Sequence, residues 1–149
     1  MKICLVCSAG GHFYELHSLN SVWRGHSRFW VTFNKEDTQY LLQGEKKYWA
    51  FAPTNRNPKN FIRNFFLAAK ILIKEKPDVI VSTGAGVAVP FFYFGWLTRR
   101  RTIYIESMTR VTNLSLTGRL VYPVARHFLV QWPELAELYP RARFKGQVL

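Results

Sequence analysis

An α/β fold, a Rossmann-like doubly wound parallel sheet, follows from three observations on this chain. Short apolar runs alternate with helical stretches from one end to the other. The run Val79–Ser82 shows no polar alternation, as in a strand covered on both faces. Glycine turns follow two of the runs, at Ser8-Ala9-Gly10-Gly11-His12 and Thr83-Gly84-Ala85-Gly86. With 149 residues, 48% apolar and 16% aromatic, the chain suffices for one domain with a real core. The expectation is a single domain over residues 1–149.

The elements read in order. Lys2–Cys7 is the first strand, followed by a helix over Gly11–Val22 with Phe13, Leu16 and Leu19 at helical spacing. Ser27–Thr32 is a strand, Glu36–Leu42 a helix and Tyr48–Phe51 a short strand. Pro53 to Pro58 is a loop. Asn60–Lys74 is the clearest helix, with a broad apolar face, and Lys76-Pro77-Asp78 ends it. Val79–Ser82 is the next strand, and the second glycine turn leads into the apolar segment Val87–Leu97. Thr102–Ile105 is a strand; a loop carrying Ser115, Thr117 and Gly118 precedes a helix to about Ala125. His127–Gln131 and a short strand near Arg143–Lys145 complete the pattern.

Twenty-one basic against nine acidic residues give a net charge of +12, which favours polyanionic partners. The basic residues are spread along the chain and no RNA-reading signature accompanies them, so nucleic acid is not an expected partner. Cys4 and Cys7 lie three apart on one strand and face opposite sides, which suits packing better than a redox pair. No basic, apolar and cleavage-site sequence of a signal peptide stands at the N-terminus.

Ligands of such sheets bind beyond the carboxyl ends of the strands. Three loops of unusual composition leave those ends: Ser8–His12, Ser82–Gly86 and Glu106–Gly118. Glycines let a backbone approach a ligand, and helix N-termini attract oxyanions. Ser8, Gly10, Gly11, Thr83, Gly84, Gly86, Ser115 and Thr117 are therefore the candidate substrate-binding residues. His12 stands at the mouth of the first turn, where an imidazole exchanges protons near neutral pH. Glu106, directly after a buried strand, is read either as a hydrogen-bonding acceptor for a sugar or as a surface acid paired with an arginine. Glu15 is read as a favourable charge near a helix start.

Several familiar patterns are missing. The first turn is not G-x-G-x-x-G, strand two ends in Thr32-Phe33-Asn34 without an acid, and no P-loop lysine follows. His12, His17, His26 and His127 show no metal-ligand spacing, so neither a metal nor a resident cofactor is expected.

The apolar segment Ala85–Leu97 is too short to span a bilayer, which takes about 20 residues. Its aromatics precede Arg99-Arg100-Arg101. Phe91, Phe92, Trp96, Arg99, Arg100 and Arg101 are accordingly read as an interfacial face against an anionic membrane surface, with plain core packing the alternative.

Ser8-Ala9-Gly10-Gly11-His12, Lys76-Pro77-Asp78-Val79-Ile80-Val81-Ser82-Thr83-Gly84, Tyr104-Ile105-Glu106-Ser107, Leu114-Ser115-Leu116-Thr117-Gly118-Arg119-Leu120 and Val130-Gln131-Trp132-Pro133-Glu134-Leu135 occur in this order. With them the chain resembles bacterial exopolysaccharide glycosyltransferase subunits of the PssD type. These are relatives of the membrane-anchoring subunit of the eukaryotic dolichol-linked N-acetylglucosaminyltransferase. More distantly the chain is similar to the N-terminal half of MurG.

The resemblance implies the acceptor-side half of a GT-B fold, with the donor-binding half on a separate glycosyltransferase subunit. The implied reaction is transfer from a UDP-sugar, held mainly by that partner, to a lipid-linked saccharide acceptor on a polyprenyl diphosphate. It implies His12 as base and places Glu106 and Asn113 at loop positions that complete the site; Glu106 is counted with His12 as catalytic. A peripheral position on the cytoplasmic face of the membrane and a role in exopolysaccharide or capsule synthesis are further expectations. The alternative is a non-catalytic adaptor that recruits and enhances a partner transferase.

Overall fold

The structure is a computed structural model that describes residues 1–148; Leu149, the last residue of the expected domain, lies outside the described residues. Its strands are β1 (Lys2–Cys7), β2 (Ser27–Thr32), β3 (Lys47–Trp49), β4 (Val79–Gly84), β5 (Arg101–Ile105), β6 (His127–Val130) and β7 (Ala142–Phe144). They form one sheet in the order β3-β2-β1-β4-β5-β6-β7, and every neighbouring pair is parallel. Between them run α1 (Gly11–Ser18), α2 (Asn20–Trp23), α3 (Glu36–Leu41), α4 (Pro58–Glu75), α5 (Ala88–Leu97), α6 (Leu116–Val121) and α7 (Pro133–Leu138).

The strand order reverses direction between β1 and β4, so right-handed crossovers place the helices before the reversal on one face of the sheet and those after it on the other. On one face, Phe13 and Leu16 of α1 pack with Leu5, Trp30 and Val81. On the other, α4, α5 and α6 bury Ala68, Ile71, Phe91, Phe92 and Val121 against Ile80, Tyr104 and Phe128. Among the described residues the α1 face has no helix above β5 and β6: Ile103 and Leu129 line an open apolar groove of about 500 Å³. Val148 partly fills it, its N–H donating to Gln131 Oε1 at 2.9 Å.

Local chemistry explains the boundaries. Asn57 caps α4 by accepting from the Asn60 N–H at 3.0 Å, and Pro58 occupies the first turn. Lys76 (φ 48°) then turns left-handed and Pro77 follows, which stops the helix. The expected helix Gly11–Val22 is two helices. Leu19 donates back to Leu16 O in a tight three-residue turn, and the Ser18 hydroxyl bonds Glu15 O. α6 begins earlier than expected, because Ser115 caps it by accepting from Gly118 N–H at 3.0 Å. α7 has no counterpart in the sequence reading; its signal is Pro133 in the first turn of a very short helix.

Cys4 and Cys7 are free and fully buried on opposite faces of β1, and burial pushes both thiols up. α5 lies close on the sheet. A Cβ at Gly95 would come within 2.8 Å of Ile80 Cδ1 and 2.9 Å of Thr102 Cγ2. That proximity explains why Phe91 and Phe92 are wholly enclosed, Phe92 edge-on to Tyr104 at 5.8 Å. Core packing is the correct reading of these two side chains, and they present no face to a membrane. Trp96 is exposed, but with Arg99 and Arg100 it lines a groove beside Thr102 and Val124, at the amino ends of the strands. Arg101 opens β5 at the same end.

Candidate functional site

A cleft of about 980 Å³ opens at the carboxyl ends of the strands. Ser8 and His12 border it after β1, Ala85 and Gly86 after β4, and Ser107, Thr109 and Arg110 after β5. Ser115, Thr117 and Leu120 come from α6 and its cap. Of the expected binding residues, Ser8, His12, Gly86, Ser115 and Thr117 share this wall.

His12 is held from two sides. Its Nδ1 lies 2.9 Å from Thr83 O, so with Nδ1 donating to that carbonyl, Nε2 carries the lone pair. The Thr83 hydroxyl donates back to His12 O. The ring lies on Gly84, where a Cβ would come within 2.6 Å of it, and φ at this position is 138°. Both the space and the backbone require glycine there. Thr83 and Gly84 thus act beneath the cleft, on the histidine, rather than on a ligand.

The first glycine pair differs from expectation too. Gly10 N–H donates to Asp37 Oδ2 at 3.0 Å, so this amide is already satisfied and is not presented to a ligand. Neither Gly10 nor Gly11 lines the cleft, and Asn113 is an exposed loop residue outside its wall.

Glu106 is fully buried, and its carboxylate is engaged within the protein rather than on the cleft wall. Its Oε1 accepts from Ser107 N–H at 3.0 Å, and Oε2 accepts from Ser115 N–H at 2.9 Å. The Ser115 hydroxyl donates to the same carboxylate at 2.9 Å while accepting from Gly118 N–H, so one acid brackets both ends of the 107–115 loop. Neither the sugar-binding reading nor the surface ion pair describes it. Burial, with this carboxylate nearby, pushes the Tyr104 hydroxyl up. Glu15, read from the sequence as a favourable charge near a helix start, is likewise buried. Its Oε1 accepts from Met108 N–H at 2.9 Å and ties α1 to that loop.

The remaining wall had no sequence motif to announce it. Thr54, Asn55 and Arg56 enter from the loop before α4, and Lys35 also borders the cleft. Buried asparagines fix that loop: Asn60 Nδ2 donates to Pro53 O at 2.8 Å, and Asn64 bonds Phe51 N–H and O at 2.8 and 2.9 Å. Asn60 and Asn64, one helical turn apart on an apolar face, were the available signal. Arg56 (φ 51°) and Ala85 (φ 74°) occupy the left-handed region, where side chains are rare, and both line the cleft. Lys35, Arg56 and Arg110 make no ion pair among the described residues, so the cleft carries uncompensated positive charge.

A parallel sheet with this strand order and a cleft at its reversal is a Rossmann-like fold, and it matches the N-terminal half of GT-B proteins in fold. Acinetobacter baumannii MurG matches with a TM-score of 0.76 at 17% identity, covering 99% of this chain and 45% of that one. UDP-N-acetylglucosamine 2-epimerase from Rickettsia bellii matches at 0.76 and 13%, with 99% and 45% covered. These are likenesses of fold.

Residues 52–148 match the family model described as oligosaccharide biosynthesis protein Alg14 like, and the chain belongs to that family. The human UDP-N-acetylglucosamine transferase subunit ALG14 is 31% identical over 183 residues, covering 100% of this chain and 83% of the human one. The subunit of the same name from Yarrowia lipolytica is 45% identical over 89 residues, 56% of this chain and 41% of that protein. The chain therefore spans less than half of the Yarrowia relative.

Proposed function

We propose that this chain is the acceptor-binding subunit of a two-component glycosyltransferase. It serves transfer of a sugar from a UDP-sugar to a polyprenyl-diphosphate-linked saccharide, in bacterial exopolysaccharide or capsule synthesis as in PssD-type subunits. The UDP-sugar is held mainly by a donor-binding partner, and the work is done at the cytoplasmic face of the membrane. The observation that carries the reading is His12, its Nδ1 tied to Thr83 O and its Nε2 left for the cleft.

In the reaction an acceptor hydroxyl attacks the anomeric carbon of the donor. Nε2 of His12 takes the hydroxyl proton as the new glycosidic bond forms, and the bond to UDP breaks with its electron pair leaving on the diphosphate. Arg56, Arg110 and Lys35 supply positive charge for the acceptor diphosphate, and the polar rim of Ser115 and Thr117 faces its sugar. The names of the relatives, transferase subunits rather than transferases, support a shared enzyme.

The test is transfer to a lipid-linked acceptor by this chain co-purified with its donor-binding partner. His12→Ala is expected to lower turnover by about 10²–10⁴-fold with assembly intact. The adaptor reading is favoured by the internal engagement of Glu106 and Gly10 N–H, which leaves His12 as the one titratable group of the expected catalytic pair on the wall. It predicts near wild-type turnover in the same variant.

A further inference from the structure

Another concave site lies at the opposite end of the sheet from the cleft. A pocket of about 540 Å³ opens where α5 ends and β5 and β6 begin, a volume in the range of small-molecule sites. Trp96, Arg99, Arg100, Arg126 and Arg141 line it, around Thr102 and Val124. Segments 96–102 and 123–126 contain no acid, and none of the four arginines makes an ion pair among the described residues. Four guanidinium groups around one cavity repel one another unless an anion joins them.

Structural duties do not account for this cluster. The last carbonyls of α5 are satisfied by backbone groups: Thr98 N–H donates to Phe94 O at 3.0 Å, Arg99 N–H to Trp96 O at 3.2 Å and Arg100 N–H to Gly95 O at 2.8 Å. No arginine side chain is needed as a cap there. That turn sets Arg99 at φ 59°, where glycine is favoured, yet an arginine occupies it. Two guanidinium groups are pinned by carbonyls, which fix position without cancelling charge. Arg141 Nη1 donates to Tyr122 O at 2.6 Å and Nη2 to Ala125 O at 2.7 Å, and Arg100 Nη1 donates to Pro77 O. Arg100 Nε is enclosed and has no acceptor among the described residues.

We infer that this pocket binds a nucleoside phosphate, its phosphates against the arginines and its base against the indole of Trp96, which is 55% exposed. Planar guanidinium forks match phosphate oxygens, and an exposed indole offers a stacking face to any base. A recess with pinned donors suits a compact soluble anion better than a flat lipid surface. The pocket also lies at the amino ends of the strands, whereas the cleft lies at their carboxyl ends. A chain that turns its cleft to a lipid-linked acceptor therefore turns this pocket to solution. Only that orientation rests on the proposed transfer reaction; nucleotide binding does not.

Calorimetric titration of the purified chain with UDP, ADP and inorganic pyrophosphate tests the site without partner, donor or acceptor. Both nucleotides are expected to bind at a single site, more weakly as salt rises. Glycine suits the left-handed backbone at position 99 and Arg126 is exposed, so Arg99→Gly with Arg126→Gln removes two charges and keeps the fold. It should weaken both nucleotides about tenfold or more, whereas Lys59→Gln with Lys70→Gln, the same charge change on α4, should not. Trp96→Ala should weaken the nucleotides about fivefold or more and leave pyrophosphate unchanged. Absence of nucleotide binding at millimolar concentration overturns the inference, and so does equal affinity for UDP and pyrophosphate. Binding that Arg56→Gln with Arg110→Gln abolishes, and Arg99→Gly with Arg126→Gln leaves intact, also overturns it, because the nucleotide then occupies the cleft. So does a wild-type chain that ignores nucleotides but floats with anionic vesicles through Arg99 and Arg126. None of these results bears on the His12 assay, which is read as sugar transfer.

Discussion

Two neighbouring helices, α4 and α5, show how little hydrophobicity alone says about what a surface touches. α5 is apolar on nearly every side, with Val89, Pro90, Phe91 and Phe92 buried. α4 carries four lysines and arginines outward among its apolar residues, yet Ile62, Phe66 and Ile73 stand in solvent. The difference lies in the neighbours. α5 sits between α4 and α6 and presses Gly95 onto Ile80 and Thr102, so Phe91 and Phe92 have partners on every flank. α4 has the sheet and α5 on two sides, and among the described residues its third side, with Ile62, Phe66 and Ile73, is exposed. One helix supports the fold and the other presents a surface.

Opposite responses to truncation sharpen the contrast. Phe92→Ala is expected to cost about 3–5 kcal/mol of stability, because it opens a cavity against Tyr104. Phe66→Ser, an equally drastic change on the neighbouring helix, is expected to stay within about 0.5 kcal/mol. Chemical denaturation measures both, and equal losses would abolish the distinction.

The same division runs through the polar residues: Glu106 supports the loops, and His12 faces the cleft. Glu106→Gln replaces one acceptor oxygen by an amide and leaves a Ser107 or Ser115 N–H facing a donor. A loss of about 1–3 kcal/mol is expected, with faster amide exchange at Ser115. An unchanged melting temperature and unchanged exchange would remove Glu106 from its bracketing role.

A further expected effect, confined to acid pH, concerns the end of α4. Burial pushes the Glu75 carboxyl up, but hydrogen bonds from Lys2, Lys46 and Tyr48 outweigh it and hold the group down at about 2, against an ordinary 4.5. The folded value is the lower one, so this contribution is full above pH 4.5 and fades as the pH falls towards 2. The melting temperature should fall across that window, and less steeply in Glu75→Gln. Equal slopes in the two proteins would count against it.

Much of the fold was legible because parallel strands buried on both faces read as bare apolar runs. β1 and β2 match their expected bounds, and β4 begins where expected, at Val79. The break at Leu19 and the start of α6 were not legible, since both depend on one hydroxyl choosing a backbone partner. The cleft was half legible. Loops after β1, β4 and β5 announced themselves by glycine, serine and threonine, whereas the Thr54–Arg56 wall has an ordinary composition. Its place depends on Asn60 and Asn64, which look misplaced until the loop above them is seen. Glu106 misled for a related reason. A carboxylate beside a binding loop reads as a ligand group, and only its three satisfied contacts reveal a brace.

The contact between His12 and Gly84 also constrains how this lineage can change. A side chain at position 84 meets the imidazole before it meets anything else, so the two positions are not free to drift separately. Loss of the histidine must come first; the reverse order passes through a chain whose ring has been pushed out of place. Even then the φ of 138° leaves a second barrier to any residue but glycine. Members of the family that have given up His12 should therefore be more numerous than members that have given up Gly84, and the second group should fall largely within the first.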